Sequence, residues 1–325
     1  MKRTVFLFVL IGWILSGCVG MNVALLPSSK PLEEKVLEGD GKAKILLVDL
    51  DGTISFKEES DPLKLAVRPS KVAFFREALR KAEGDPDLAG VIVKINSPGG
   101  TVTASDTIYH EILRFKEKKR VPVVAYILEV GASGGYYVAS AADRIVASPT
   151  AVTGSIGVIA MRLNLEGLLS KVGVSGETYK SGAMKDFWSP LRPSTEEERG
   201  MIQKMISRLY GRFFEVVYAS RQKMLTEAEL KTLADGRIFT AGEALDAKLI
   251  DEVAYLDSAI ESMKAARNLD RARVVTYVRP RTYKSNIYSE YPELPLGPQT
   301  INLISVNAEE LSLFSGLRFM YLWAP

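Results

Sequence analysis

Between residues 45 and 149, short apolar runs rich in β-branched residues alternate with stretches whose apolar residues recur at helical spacing. The runs are Ile45 to Leu50, "AGVIVKIN" (Ala89 to Asn96), "VPVVAYI" (Val121 to Ile127) and "DRIVASP" (Asp143 to Pro149). They do not alternate apolar with polar, so both faces of each strand expect cover. Between them, Ser70 is placed to cap a helix with Val72, Phe75, Leu79 and Ala82 on one face and Gly84 as its stop. A second helix, over about 104–118, carries Ile108, Ile112 and Phe115. This pattern predicts an α/β fold with a mainly parallel sheet, βα repeats and helices on both sides. The portion after residue 190 is more helical. Ser194 with Glu197, Thr226 with Glu229 and Thr240 with Glu243 read as capping boxes, the first opening a long helix to about Gln222. The strands "LIDEVA" and "ARVVTYV" close the domain.

Two of the runs end in glycine loops just before a helix: "NSPGG" (Asn96 to Gly100) and "GASGG" (Gly131 to Gly135). In an open α/β sheet, ligands collect at the carboxyl ends of the strands. Gly99 and Gly100 lack a Cβ, so a substrate backbone can approach their amides, as an oxyanion hole requires. Ser133 sits in the second loop, where it reads as a nucleophile whose own amide supplies a further donor. Either loop alone could equally be a tight corner or a phosphate cradle; two in adjacent βα units favour a site.

A serine hydroxyl needs a neighbour to take its proton. The chain has one histidine, His110, which shares a helix face with Asp106 and Arg114 opposite the apolar face. It reads as a surface residue, which argues against a Ser-His-Asp triad. A lysine can serve instead once it is neutral, which burial or nearby positive charge brings about. "YKSGAMKDFWSP" (Tyr179 to Pro190) offers Lys180 and Lys185 beside Met184, Phe187 and Trp188. From this stretch alone, two exposed loop lysines are the favoured reading.

The net charge of +3, with both signs interspersed along 325 residues, gives no clustered basic face for nucleic acid. The run "KEKKR" (Lys116 to Arg120) reads as a solvated helix end. The one cysteine, Cys18, excludes an intrachain disulfide and a thiolate metal cluster.

"NSPGG", "GASGGYYVASAAD", "TGSIGVI" and "YKSGAMKDFWSP", in this order and spacing, resemble the signal peptide peptidase A family, bacterial membrane-associated serine proteases with the fold shared by crotonase and the Clp protease subunit. The resemblance runs from about Lys44 to Val278 and fits the short, single-unit form. It implies a Ser/Lys dyad with Ser133 as nucleophile and Lys185, rather than Lys180, as base. It implies that Ser155 hydrogen-bonds the lysine and that the "NSPGG" glycines, Gly100 above Gly99, supply oxyanion amides. It also implies a homo-oligomer, with the dyad shared across subunits in some members. Peptides, signal peptides above all, are the expected substrates, and no metal or organic cofactor is called for. The alternatives are a noncatalytic lipoprotein scaffold and a crotonase-type acyl-CoA enzyme on the same fold.

The chain starts with Lys2 and Arg3 followed by the apolar run Val5 to Leu15, a secretory signal that ends in "LSGC". That ending resembles a bacterial lipoprotein box, with Cys18 lipidated; the competing reading is a membrane anchor from Val5 to Leu26. The expected organisation is therefore a signal or anchor at 1–18, a linker at 19–42, the protease domain at 43–281 and a tail of unassigned role at 282–325. The catalytic domain is expected outside the cytoplasm, held at a membrane of the cell envelope.

Overall fold

The computed structural model of the protein describes residues 31–60, 67–279 and 318–323. In chain order its strands are β1 (Glu33–Gly39), β2 (Lys44–Asp51), the two-residue ribbon β3 (Glu59–Ser60) and β4 (Val67–Arg68), β5 (Leu88–Ser97), β6 (Gly99–Thr101), β7 (Val123–Ala132), β8 (Arg144–Ala147), β9 (Val152–Gly154), β10 (Ile238–Thr240), β11 (Glu252–Val253), β12 (Arg273–Val278) and β13 (Met320–Leu322). The helices are α1 (Lys71–Glu83), α2 (Val102–Lys119), α3 (Gly134–Ala139), α4 (Glu166–Lys171), α5 (Glu196–Arg221), α6 (Glu227–Leu233), α7 (Ala241–Asp246) and α8 (Leu256–Ala266).

The main sheet runs β1-β12-β2-β5-β7-β8-β11, with β9 continuing beside β7 and pairing with β10. From β12 to β11 every neighbouring pair is parallel. The fold is α/β, as the unbroken apolar runs predict. Alternate residues of β2 serve opposite faces. Leu46, Val48 and Leu50 join Phe75, Ile108, Phe115 and Phe213 in the larger core. Ile45 and Leu47 pack with Ile260 and Met263 of α8 in the smaller one.

Local signals set the helix ends. Ser70 Oγ accepts the amide of Ala73 and Gly84 ends α1. Capping boxes at Thr226/Glu229 and Thr240/Glu243 open α6 and α7. The box of α5 lies one residue beyond the expected Ser194/Glu197 pair: Thr195 caps it with Glu198. Glu198 is held there by Arg192, whose Nη1 donates to it at 2.9 Å, while the Ser194 carbonyl accepts from Arg199.

The expected linker over 19–42 is corrected in its second half. Glu33–Gly39 is a strand that pairs antiparallel with β12 at the sheet edge. An edge strand keeps one side in solvent and is blunted by charge, so "EEKVLEG" has a linker's polarity and a strand's pairing.

One polar pair interrupts the apolar sheet. Lys94 and Asp49 are cross-strand partners on β5 and β2, 3.2 Å apart, with side chains 0% and 1% exposed. Losing one partner of a buried pair strands the other charge, at about 3–5 kcal/mol. Lys94→Met should therefore destabilise the protein by about that amount in urea unfolding. The double variant Lys94→Met/Asp49→Leu should recover most of the loss. Equal destabilisation in both would mean that the pair does not carry the effect.

Candidate active site

β5 and β7 lie side by side, and their carboxyl ends meet at the pair Ser97/Gly131. β7 then pairs with β9 through Ala132/Gly154, so Ser133 and Ser155 are the next residues on two adjacent strands. Both have positive φ, 51° and 52°. For a residue other than glycine this conformation costs about 1–3 kcal/mol and must be held by its surroundings. The Ser133 amide donates to the Gly154 carbonyl at 2.8 Å and its carbonyl accepts from Tyr137 at 2.8 Å. The Ser155 amide donates to the Arg237 carbonyl at 2.7 Å. Ser133 is 1% exposed, and its buried Oγ has no hydrogen-bond partner among the described residues. An unpaired buried hydroxyl adds a penalty of about 1–3 kcal/mol. Two unfavourable features retained at one serine are what a nucleophile waiting for its substrate would show.

The facing loop is built from Gly99 and Gly100. The Gly99 amide is taken by Ser97 Oγ at 3.1 Å, and that hydroxyl donates to the Gly52 carbonyl at 2.6 Å. Ile54 brackets Gly100, donating to the Gly99 carbonyl at 2.8 Å and accepting from Thr101 at 2.9 Å. A Cβ on Gly100 would lie 2.0 Å from the Ile54 carbonyl oxygen, so only glycine fits. The Gly100 amide is directed away from Ile54, toward β13, where Tyr321 stands opposite it. The bonds Val102 N–H to Phe319 O (3.2 Å) and Trp323 N–H to Pro98 O (2.8 Å) flank that pair. By the alternation of an antiparallel ladder, Gly100 and Tyr321 are then a hydrogen-bonded pair.

A third glycine completes the slot. A Cβ on Gly99 would fall 1.9 Å from the Tyr321 carbonyl oxygen and 2.7 Å from the Gly134 amide. One on Gly134 would fall 3.0 Å from the same oxygen and 3.1 Å from the Gly100 amide. The space that the missing side chains of Gly99 and Gly134 leave thus holds the Tyr321 carbonyl beside the amides of Gly100 and Gly134. The Ser133 amide, read in the sequence as a further donor, is taken by the Gly154 carbonyl, and the next amide, that of Gly134, lies beside this space. Gly134 is the first glycine of "SGG", directly after Ser133.

Lys185 lies on the single 3-10 turn Ala183–Asp186 and is exposed. Its amine makes no hydrogen bond to Ser133 Oγ, which has no partner among the described residues. Lys180 is engaged instead: its Nζ pairs with Asp186 at 2.7 Å and donates to the Ala183 carbonyl at 3.1 Å. Asp186 also receives Arg192, and these two cations hold its carboxyl far below the usual range. Arg192 and the Thr195 amide lower Glu198 to about 2. The turn that carries Lys185 is therefore pinned by an ionic cluster that leaves the Lys185 amine out.

The segment around it is unusually apolar for a surface. Leu163, Leu168, Val172, Val174 and Leu191 are all exposed, Leu168 and Val172 at 61% and 65%, and α4 buries no residue. His110 is exposed on α2, as its helix face implied. Cys18 lies outside the described residues, among which no helix is long and apolar enough to cross a membrane.

The family model for Peptidase family S49 matches residues 115–270, which include Ser133, Ser155 and Lys185. The chain is 37% identical over 263 residues to a protein of Enterococcus faecium assigned as a signal peptide peptidase, SppA, covering 81% of this chain and 75% of that one. It is 31% identical over 277 residues to a protein of Methanocaldococcus jannaschii assigned as a protease, covering 85% and 87%. It is 33% identical over 253 residues to the chloroplastic serine protease SPPA of Arabidopsis thaliana, covering 77% of this chain and 36% of that one.

Proposed function

We propose, from the premise that the chain belongs to peptidase family S49 and is a serine-type peptidase, that Ser133 and Lys185 form its catalytic dyad and that cleaved signal peptides are its substrates. The observation that carries this reading is the buried, unbonded Ser133 Oγ beside a slot that holds a peptide carbonyl.

In the proposed reaction, neutral Lys185 Nζ takes the proton from Ser133 Oγ as that oxygen bonds to the scissile carbonyl carbon. The amides of Gly100 and Gly134 stabilise the oxyanion that forms. The C–N bond breaks, and the leaving nitrogen takes the proton back from Lys185. Water, deprotonated in turn by Lys185, adds to the acyl ester and releases Ser133. Ser155, one residue past the Gly154 carbonyl that fixes Ser133, would orient the lysine amine, as the family resemblance implies.

The dyad is proposed to form between copies of the chain. Two observations support this: Ser133 Oγ has no partner among the described residues, and Lys185 rides on an exposed apolar segment that calls for cover. A neighbouring copy packed on Leu168, Val172 and Val174 would bring its serine loop to the lysine and remove water from it. Dehydration in apolar surroundings is what favours the neutral form of an amine. The N-terminal segment, with Cys18 as its lipidation site, would tether the assembly to the envelope, where released signal peptides accumulate.

The substrate part is tested with the purified full-length chain and two extended peptides of equal length, one apolar throughout and one with its apolar residues exchanged for serine and glutamine. The apolar peptide should be cleaved at least ten-fold faster in kcat/KM. Equal rates would remove the signal-peptide assignment while leaving the peptidase.

A further inference from the structure

Three loops come together at the site: residues 52–54 after β2, 99–100 after β5 and 133–135 after β7. One residue borders all three. Ser97, 0% exposed at the end of β5, donates its hydroxyl to the Gly52 carbonyl at 2.6 Å and accepts the Gly99 amide at 3.1 Å. A Cβ on Gly135 would lie 2.8 Å from the Ser97 carbonyl oxygen and 3.6 Å from Ser97 Cβ, so the third loop lies directly against it.

Both bonds bear on the Gly100 amide. Pro98 has no N–H to give, and the bond from the Gly99 amide back to Ser97 Oγ closes the turn around it. Gly99 has φ 104°, a conformation that favours glycine, and this turn sets the direction of the next amide, that of Gly100. The Gly52 bond works from the other flank. Gly52 is clipped at both ends, its amide to the Asn96 carbonyl at 2.9 Å and its carbonyl to Ser97 Oγ. Two residues on, Ile54 brackets Gly100 through the Gly99 carbonyl and the Thr101 amide. One hydroxyl therefore holds Gly100 through Gly99 on one side and through Ile54 on the other.

We propose that Ser97 is a positioning residue: it aims the Gly100 amide at the developing oxyanion without touching substrate. The proposal rests on the peptidase reading of the site. Alanine would fill nearly the same space, so what the hydroxyl adds is its bonding to loop backbone. Without it, the buried Gly99 amide and Gly52 carbonyl lose their partner and the loop shifts to find others. Oxyanion donors act only within a narrow range, about 2.7–3.1 Å from the oxygen, and a misplacement of about 1 Å costs on the order of 100-fold in rate. The loss falls where negative charge develops, in the transition state, and spares ground-state binding.

The test compares full-length Ser97→Ala with wild type, and with Ser70→Ala, which removes another buried hydroxyl, the one that caps α1. For Ser97→Ala, kcat for peptide hydrolysis should fall about 30- to 100-fold with KM within about two-fold. A peptide aldehyde supplies the second readout. Ser133 Oγ adds to its carbon, the hydroxyl proton passes to Lys185, and the aldehyde oxygen becomes an oxyanion in the slot. Its affinity should fall by the same factor as kcat. The matching peptide alcohol forms no bond to Ser133 and should bind wild type and variant equally. Ser97→Cys keeps a weak donor and acceptor in place. It should lie between alanine and wild type, and it carries the same readouts if the alanine variant does not fold. Ser70→Ala should lower stability and leave kcat within about two-fold. A kcat for Ser97→Ala within about three-fold of wild type would overturn the proposal. Equal weakening of aldehyde and alcohol, or an equal loss of kcat in Ser70→Ala, would overturn it too. In each of these cases the wild type still cleaves, and this inference falls alone. A wild type that neither cleaves peptides nor binds the aldehyde more tightly than the alcohol would remove the peptidase reading, and this inference with it.

Discussion

Ser133→Ala lowers kcat for peptide hydrolysis by roughly 10^4- to 10^6-fold, the loss expected when a nucleophile is removed from a unit that works together. The protein should meanwhile be no less stable. The Ser133 hydroxyl makes no hydrogen bond among the described residues, so its removal relieves an unpaired buried group rather than breaking a contact. The backbone at φ 51° is equally strained with alanine there. Loss of activity without loss of stability is what separates a functional serine from a structural one. Steady-state kinetics and a thermal melt on the same preparation read both. A variant that retains more than a few per cent of wild-type kcat would exclude Ser133 as the nucleophile.

Lys185→Ala is expected to be as severe, because a base that acts as one unit with its nucleophile is lost at a similar cost. Lys180→Ala should reduce activity by less than about ten-fold, since Lys180 serves Asp186 and the turn rather than the reaction. His110→Ala should leave activity intact, its side chain being exposed on α2. The arrangement between copies gives a sharper expectation. Ser133→Ala and Lys185→Ala chains are each inactive alone, but coexpressed in equal amounts they should recover about a quarter of the wild-type sites. Half of the serine loops are intact and half of those meet an intact lysine in a head-to-tail ring. Recovery to this level supports a shared dyad. No recovery in verified mixed assemblies would place the lysine and the serine in the same chain.

Much of the fold was legible because burial on both faces leaves a coarse mark. The runs at Ile45 and Val91 could hardly be anything but central strands, and Ser70, Thr226 and Thr240 announced their helices by capping chemistry. Glu33–Gly39 was not legible, since an edge strand's polarity copies that of a linker. Ser133 and Gly100 stood out as residues of glycine loops at strand ends. Gly134, the second donor proposed above, did not, because which amide of "ASGG" is free depends on the bond from Ser133 to Gly154, a contact between β7 and β9 that no local pattern encodes. The strand around Tyr321 was the least visible. It has three residues, it pairs with a loop rather than the sheet, and its partner is more than 200 positions away. The choice of Lys185 over Lys180 came from the resemblance alone. The geometry adds only that Lys180 is occupied, while Lys185 has no ion-pair partner among the described residues.

The central claim is that Ser133 Oγ becomes nucleophilic when the amine of Lys185 reaches it. A peptidyl phosphonate that bonds covalently to activated serines tests this directly, with the adduct located by peptide mass spectrometry on wild-type and Lys185→Ala protein. The account predicts one adduct, on Ser133, in the wild type, and labelling at least a thousand-fold slower in Lys185→Ala, on the order of what a positioned base contributes. An adduct on another residue, or labelling of Ser133 that proceeds as fast without Lys185, would contradict it.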